Sequence, residues 1–199
     1  MQYMSAMKIN EIFYSIQGEG YHTGTPAVFV RFSGCNLRCP FCDTDFHDYK
    51  EMTEEEIVAE VCKYPATLCV ITGGEPSLQL TETLVHKLQA HGKYVAVETN
   101  GTGELPDDVD WVTCSPKTAF VKNGELKYKF ADEVKVVFDF KTLYADPTFG
   151  VEADFYYCQP CDTGDKERNK EIMKQCVEFV KNNPKWRLSL QTQKILEVR

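Results

Sequence analysis

No run in this chain comes near the ~20 consecutive apolar residues that a membrane-spanning helix needs, and the opening segment MQYMSAMKIN lacks the charged-then-apolar order of a secretion signal. A cytoplasmic protein with no membrane partner is expected. Positive charge is scarce as well: 22 Lys and Arg stand against 30 Asp and Glu, a net charge of −8. Binding a phosphate backbone takes a concentrated excess of base, so a nucleic-acid partner is not expected and a small-molecule substrate fits better. Internal repeats, low-complexity tracts and Pro/Gly/Ser-rich linkers are absent too, and 199 residues read as one domain, 1–199, long enough for a core of its own. Cysteine, in contrast, is plentiful at nine. An odd number at uneven spacing in a reducing compartment does not make a disulfide framework, so clustered cysteines point to metal.

Short β-branched and aromatic runs recur at 27–33 (AVFVRFS), 67–72, 94–99, 111–115, 133–138, 155–159 and 187–191. They give about six strands, seven at most, and most are apolar on both faces, as parallel strands covered by helices are. Three main helices lie between them. The first starts at Thr53, with Glu56 completing a capping box, and runs to about Tyr64; the acidic run Glu54–Glu56 is its solvated first turn. The second spaces Leu80, Leu84 and Leu88 along one stripe and stops at Gly92. The third, from Asp165 to Asn182, aligns Ile172, Met173, Cys176, Val177 and Val180. Strand–helix alternation predicts an α/β fold. The stretch 100–132 has no helical stripe, and a complete eightfold barrel needs about 250 residues. The expected architecture is therefore an abbreviated, partly open parallel (β/α) barrel.

Cys35, Cys39 and Cys42 form C-x3-C-x2-C directly after the strand at 27–33, on the loop where barrel enzymes place their chemistry. Thiolates hold zinc or iron–sulfur clusters, and a closed zinc site needs four ligands. Only three thiols are tightly spaced here, although His47 could complete a zinc site. On a four-iron cube, three thiolates leave one iron open to a further ligand. A second feature is ITGGEP at 71–76, where paired glycines let backbone approach a ligand and Glu75 could hold an ammonium group.

With Phe41 ahead of its last cysteine, the C-x3-C-x2-C loop resembles the signature of the radical S-adenosylmethionine superfamily, and Gly73-Gly74-Glu75-Pro76 resembles that superfamily's element for the cofactor's amino group. YSIQGEGYHTGTPAVFVRFSGCNLRC (14–39), CDTDF (42–46), VETNG (97–101) and SPK (115–117) narrow the resemblance to the 7-carboxy-7-deazaguanine synthase family of queuosine and 7-deazapurine biosynthesis. SIQGEG and VETNG are its more diagnostic parts. The resemblance implies a homodimeric lyase of the radical SAM type that turns 6-carboxy-5,6,7,8-tetrahydropterin into 7-carboxy-7-deazaguanine with loss of ammonia. Its cofactors would be a [4Fe-4S] cluster on Cys35, Cys39 and Cys42, S-adenosyl-L-methionine and Mg2+, with an external electron donor such as a flavodoxin. No catalytic residue beyond cluster and cofactor is implied.

By the same resemblance Thr44 is the magnesium ligand. The S-adenosylmethionine contacts are Phe41, Cys42, Asp43, Gly74, Ser115, Pro116, Lys117, Gln159, Pro160, Cys161 and Asp162. The substrate contacts are Ile16, Gln17, Gly18, Arg31, Thr72 and Glu98. Chemistry beside the resemblance lets Arg31 pair with the substrate carboxylate in bidentate fashion, or else form a structural ion pair. Glu19 and Glu98 suit the pterin's amino and ring nitrogens; for Glu98 an ordinary buried pairing with a lysine competes.

Elsewhere Cys158 and Cys161 form a C-x2-C pair that reads as two reduced thiols, and Cys62, Cys69, Cys114 and Cys176 read as core. Gln193 stands where the family shows a histidine that helps hold the pterin. The rival readings are a glycyl-radical-enzyme activating enzyme, against which SIQGEG and Thr44 argue, and, in another class, a zinc-binding interaction module.

Overall fold

The computed structural model of the chain describes residues 6–42, 44, 48–139 and 146–199. Asp43 and His47 lie outside them. The described residues form nine strands: β1 (Met7–Ile16), β2 (Pro26–Phe32), β3 (Lys50–Met52), β4 (Leu68–Gly73), β5 (Tyr94–Thr99), β6 (Trp111–Cys114), β7 (Phe130–Phe138), β8 (Glu152–Pro160) and β9 (Trp186–Leu188). They join one sheet in the order β3-β1-β2-β4-β5-β6-β7-β8-β9. From β2 to β9 every neighbouring pair is parallel, while β1 runs antiparallel to both β2 and β3. The sheet ends at β3 and β9 without meeting itself, so the barrel is partly open, as expected.

The seven parallel strands are those read from the sequence; the nine-strand total exceeds the expected six or so because of β1 and β3. In β1 the two-residue alternation is interrupted by a register shift between Ile9 and Glu11, which blurs the pattern. β3 is three residues, Lys-Glu-Met, held by pairing with Met7–Ile9, and nothing local marks it as a strand.

Helices α1 (Glu54–Val61), α2 (Glu82–Ala90) and α3 (Lys166–Asn182) are the three expected ones. The capping box of α1 is present: Thr53 Oγ1 accepts from the Glu56 amide at 3.3 Å, and Glu56 Oε2 accepts from the Thr53 amide at 2.8 Å. Thr81 caps α2 and Asp165 caps α3. Gly92 ends α2 with φ 75°, a left-handed turn that favours glycine. Two bounds shift: α1 stops at Val61 and α2 begins after Thr81. On α3 Met173 faces solvent, and the buried stripe is Ile172 and Cys176, with Phe179 and Val180 packed beside them. A fourth helix, α4 (Thr192–Ile195), is too short for a periodic signal.

Alternation along the parallel strands sorts side chains onto two faces. Outward go Val28, Val30, Phe32, Cys69, Ile71, Val95 and Val97, against Ile57, Val61, Leu84 and Leu88 of α1 and α2. Full burial of those four helix residues, at about 1.5–3 kcal/mol each, is what seats the two helices. Val134, Val136 and Cys158 meet α3 in the same way. Inward go Phe13, Ala27, Phe29, Leu68, Val70, Ala96 and Trp111, an apolar plug. Two residues beyond it toward the strand ends, that inner face carries Arg31, Thr72 and Glu98. The plug turns polar there, and the candidate site begins.

Candidate active site

At the C-terminal ends of the parallel strands lies a cavity of about 560 Å3. Cys35, Cys39, Cys42 and Thr44 all line it. Their loop leaves β2 through Gly34, which takes φ 91°, and is held by the ITGGEP segment that ends β4. The Gly74 amide donates to the Phe32 carbonyl at 3.0 Å and the Glu75 amide to the Gly34 carbonyl at 2.9 Å. From β5, Asn100 Nδ2 donates to Asn36 Oδ1 at 3.1 Å, and Asn36 Nδ2 donates to Thr102 Oγ1 at 2.7 Å. Three of the sequence motifs thus meet at one loop.

The donor set fits a cluster better than a closed zinc ion. A tetrahedral zinc with bonds of about 2.3 Å draws its thiolates to within about 4 Å of one another. Among the described residues, Glu82, His86 and Asp108 on the surface form the group of three metal-ligating side chains whose ligand atoms all lie within 4.8 Å. Cys35, Cys39 and Cys42 do not form such a group, so at least one pair of these sulfurs lies more than 4.8 Å apart, and three thiolates are a ligand set of iron–sulfur clusters.

Glu75 does something other than the sequence reading proposed. It is fully buried and absent from the cavity wall. Its Oε1 accepts from the Ser77 amide at 3.0 Å and Thr99 Oγ1 at 2.6 Å, and its Oε2 from the Asn100 amide at 2.7 Å. The carboxylate therefore ties the β4 end to the β5 end, and Gly73 and Gly74 are the parts of GGEP that face the cavity.

Ile16, Gln17, Gly18, Arg31, Thr72 and Glu98 line the same cavity. Glu98 is paired with a lysine: Lys135 Nζ donates to Glu98 Oε2 and to Glu19 Oε2, each at 2.7 Å. Burial opposes the Lys135 charge, but the Glu19, Glu98 and Glu133 carboxylates outweigh it and push its pKa up. Burial likewise raises Glu19, yet the Lys135 ammonium beside it wins and holds the carboxyl down at about 2. Glu133 has the Tyr21 amide on one oxygen at 3.0 Å, and burial, first among its causes, lifts it to about 7.

Lys135 was not singled out from the sequence. The available signal was Glu133 and Lys135 alternating inside an apolar strand, since buried charges need partners. Gln191, whose Nε2 donates to Glu19 Oε1 at 2.9 Å, gave no signal at all. Gln193 reaches the same oxygen at 3.3 Å and lines the cavity. Thr192 donates through backbone and hydroxyl to the Gly18 carbonyl, so the tail packs directly on the SIQGEG segment.

Arg31 both lines the cavity and forms an ion pair, its Nε donating to Glu11 Oε1 at 2.9 Å. Arg199 binds the other oxygen of Glu11, and both guanidinium groups lie over the Phe13 ring. Phe41, Ser115, Lys117, Gln159, Pro160, Cys161 and Asp162 also line the cavity, with Lys117 Nζ donating to the Ser115 carbonyl at 2.8 Å. Pro116 does not: it is buried between two residues that do. The C-x2-C pair does not converge. Cys158 turns into the α3 core, 3.3 Å from Cys176 Sγ, while Cys161 faces the cavity. Cys69, Cys114 and Cys176 are core as read, but Cys62, one residue past the end of α1, is exposed.

Residues 29–120 match the Radical SAM superfamily. The 7-carboxy-7-deazaguanine synthase of Bacteroides thetaiotaomicron is 52% identical over 192 residues, covering 96% of this chain and 98% of that protein. The enzyme of the same name from Haemophilus influenzae is 36% identical over 200 residues, covering 96% and 93%. Among solved structures, QueE from Escherichia coli superposes with a TM-score of 0.72 at 27% identity, over 93% of both chains. The superfamily's cofactors are a [4Fe-4S] cluster and S-adenosylmethionine, which three loop thiols beside a cavity suit. No helix among the described residues is long and apolar enough to cross a membrane. A cysteine loop pinned by GGEP and VETNG, in a sheet that superposes on QueE and a sequence alike over nearly its whole length, makes the chain a radical SAM lyase of the 7-carboxy-7-deazaguanine synthase family.

Proposed function

We propose that this chain converts 6-carboxy-5,6,7,8-tetrahydropterin to 7-carboxy-7-deazaguanine with loss of ammonia, in the cytoplasm, as one domain spanning 1–199. The observation that supports this best is one cavity lined both by three thiols and by a lysine-paired set of carboxylates with amides beside them. The cluster with S-adenosylmethionine supplies hydrogen abstraction by a carbon radical, which a ring contraction needs and no amino-acid side chain provides.

The chain's own residues bind, orient and exclude water. Cys35, Cys39 and Cys42 would hold the cluster. Phe41, Cys42, Asp43, Gly74, Ser115, Lys117 and the segment Gln159–Asp162 would hold S-adenosylmethionine, with Gly74 letting backbone come close. Buried Pro116 would shape that turn rather than touch the cofactor. Thr44 would ligate Mg2+, a hard cation that takes few protein oxygens and tolerates a substrate carboxylate as partner. Arg31 would meet the same carboxylate without leaving Glu11. Ile16, Gln17, Gly18, Thr72 and Glu98 would read the pterin edge. A homodimer and an external electron donor such as a flavodoxin complete the reading, with no nucleic-acid or membrane partner. The glycyl-radical activating alternative gains nothing, because the carboxylate and amide side chains gathered in the cavity suit a small heterocycle.

The test is anaerobic turnover of reconstituted protein with reductant, S-adenosylmethionine, Mg2+ and the carboxylated tetrahydropterin, the product identified by mass. 7-Carboxy-7-deazaguanine is expected. An intact cluster that cleaves S-adenosylmethionine on some other substrate, and never yields the deazaguanine, would overturn the assignment.

A further inference from the structure

Lys135 lies on β7 at 6% exposure and lines the cavity between two carboxylates. Its ammonium takes one oxygen of Glu19 and one of Glu98, at 2.7 Å each. The remaining oxygens receive side-chain amides: Gln191 and Gln193 on Glu19, and Gln17 on Glu98 at 3.4 Å. Glu133, two residues back on the same face of β7, is 2% exposed, and its Oε1 has no hydrogen-bond partner among the described residues. Three carboxylates therefore share one ammonium, and the Lys135 charge is felt at Lys117 as well.

Glu19 and Glu98 line the cavity, whereas Glu133 does not, and this pair leaves acceptor lone pairs and negative potential facing whatever occupies it. A ligand edge of N–H donors relieves the cluster; an edge that presents a carbonyl lone pair to a carboxylate does not. Without Lys135, Glu19 and Glu98 would repel, and one would take up a proton, turning an acceptor into a donor.

Resting on the function proposed above, we propose that Lys135 is a positioning residue that holds Glu19 and Glu98 as a fixed pair of acceptors, and that this pair selects the 2-amino-4-oxo edge of a pterin over the 2,4-dioxo edge of a lumazine. The 2-amino group supplies N–H donors where the analogue supplies only lone pairs.

Reconstituted enzyme is compared on 6-carboxytetrahydropterin and its 2,4-dioxo analogue. The wild type should prefer the pterin by at least about a hundredfold in kcat/KM, because a site built to bind an N–H rejects a ligand lacking it. Lys135→Met should raise KM for the pterin at least about tenfold, with a smaller fall in kcat, and erode the preference about tenfold. Lys135→Arg, which keeps the charge, should recover most of both. Iron content and melting temperature report whether each variant is folded. If Lys135→Met does not fold, Glu98→Gln takes its place, with the same loss of preference expected. A folded Lys135→Met enzyme with unchanged KM and preference overturns the inference, as does a wild type that takes both compounds within about threefold. Turnover of neither compound by the wild type would instead overturn the function on which this rests.

Discussion

A Cβ on Gly74 would stand 1.8 Å from the Gly34 carbonyl oxygen and 2.4 Å from its carbonyl carbon. The two loops that approach here are the one bearing the cysteines and the one facing the proposed cofactor site. Backbone sits against backbone, so no flexible side chain can move aside. Gly74→Ala must push the loops apart, with an overpacking cost of about 1–3 kcal/mol. The expected outcome is a folded protein of lowered melting temperature that retains less iron after reconstitution and loses S-adenosylmethionine binding. A variant that binds the cofactor as the wild type does would show that the approach is incidental.

Glu75 yields the opposite pattern. It accepts three hydrogen bonds in full burial, and an amide in its place turns one acceptor into a donor facing donors. Glu75→Gln should cost about 1–3 kcal/mol and lower the thermal midpoint, while the residual folded protein still binds S-adenosylmethionine. Unchanged stability with lost cofactor binding would restore the reading in which this carboxylate meets the cofactor's ammonium.

Glu133 gives the stability curve a signature. Its folded pKa, about 7, lies above the ordinary 4.5, so between those values the native state binds more protons than the unfolded state. Stability from this group therefore falls as pH rises from 4.5 to about 7, and is level above that. Glu19 acts in a separate window: held at about 2, it contributes stability above 4.5 that is lost as pH falls toward 2. Glu133→Gln should melt several degrees above the wild type at pH 8, with the difference closing toward pH 5. Parallel melting curves for the two proteins across that range would refute the assignment.

Thiol chemistry can be counted. Cys35, Cys39, Cys42 and Cys62 have exposed surface, and the other five cysteines are buried. Burial pushes Cys69 and Cys114 up to about 12 and Cys161 to about 11, so these stay protonated and slow at pH 8. A disulfide reagent should titrate four thiols in the folded cluster-free protein and one, Cys62, once the cluster is installed. Two or more reactive thiols in the loaded protein would mean that a loop cysteine is not a ligand.

Much of this was legible in the sequence because the parallel strands are apolar on both faces, and because helix starts are written in single residues such as Thr53 and Asp165. The cysteine loop, Gly74, Thr72 and Glu98 were legible from motifs placed at strand ends. Position alone misled for Glu75 and Pro116: each lies inside a motif, but the backbone turns its side chain into the protein. Lys135 escaped because its meaning comes from Glu19, 116 residues away. Gln191 escaped because a polar tail residue looks the same whether it faces water or a carboxylate. β3 exists only because β1 lies beside it.

The SIQGEG segment and the tail meet across 172 to 174 residues of chain, through Gln191 to Glu19 and Thr192 to Gly18. Ser15 and Glu11 reach Arg199 across still longer separations. During synthesis one side of the cavity is thus made early, and its counterpart follows more than 170 residues later. A ribosome-bound chain can pair its strands and pack α1 and α2, yet it has no complete cavity until residues 191–193 have left the exit tunnel. The cysteine loop and the segments that pin it, all within residues 32–102, are by contrast made long before the cavity is complete.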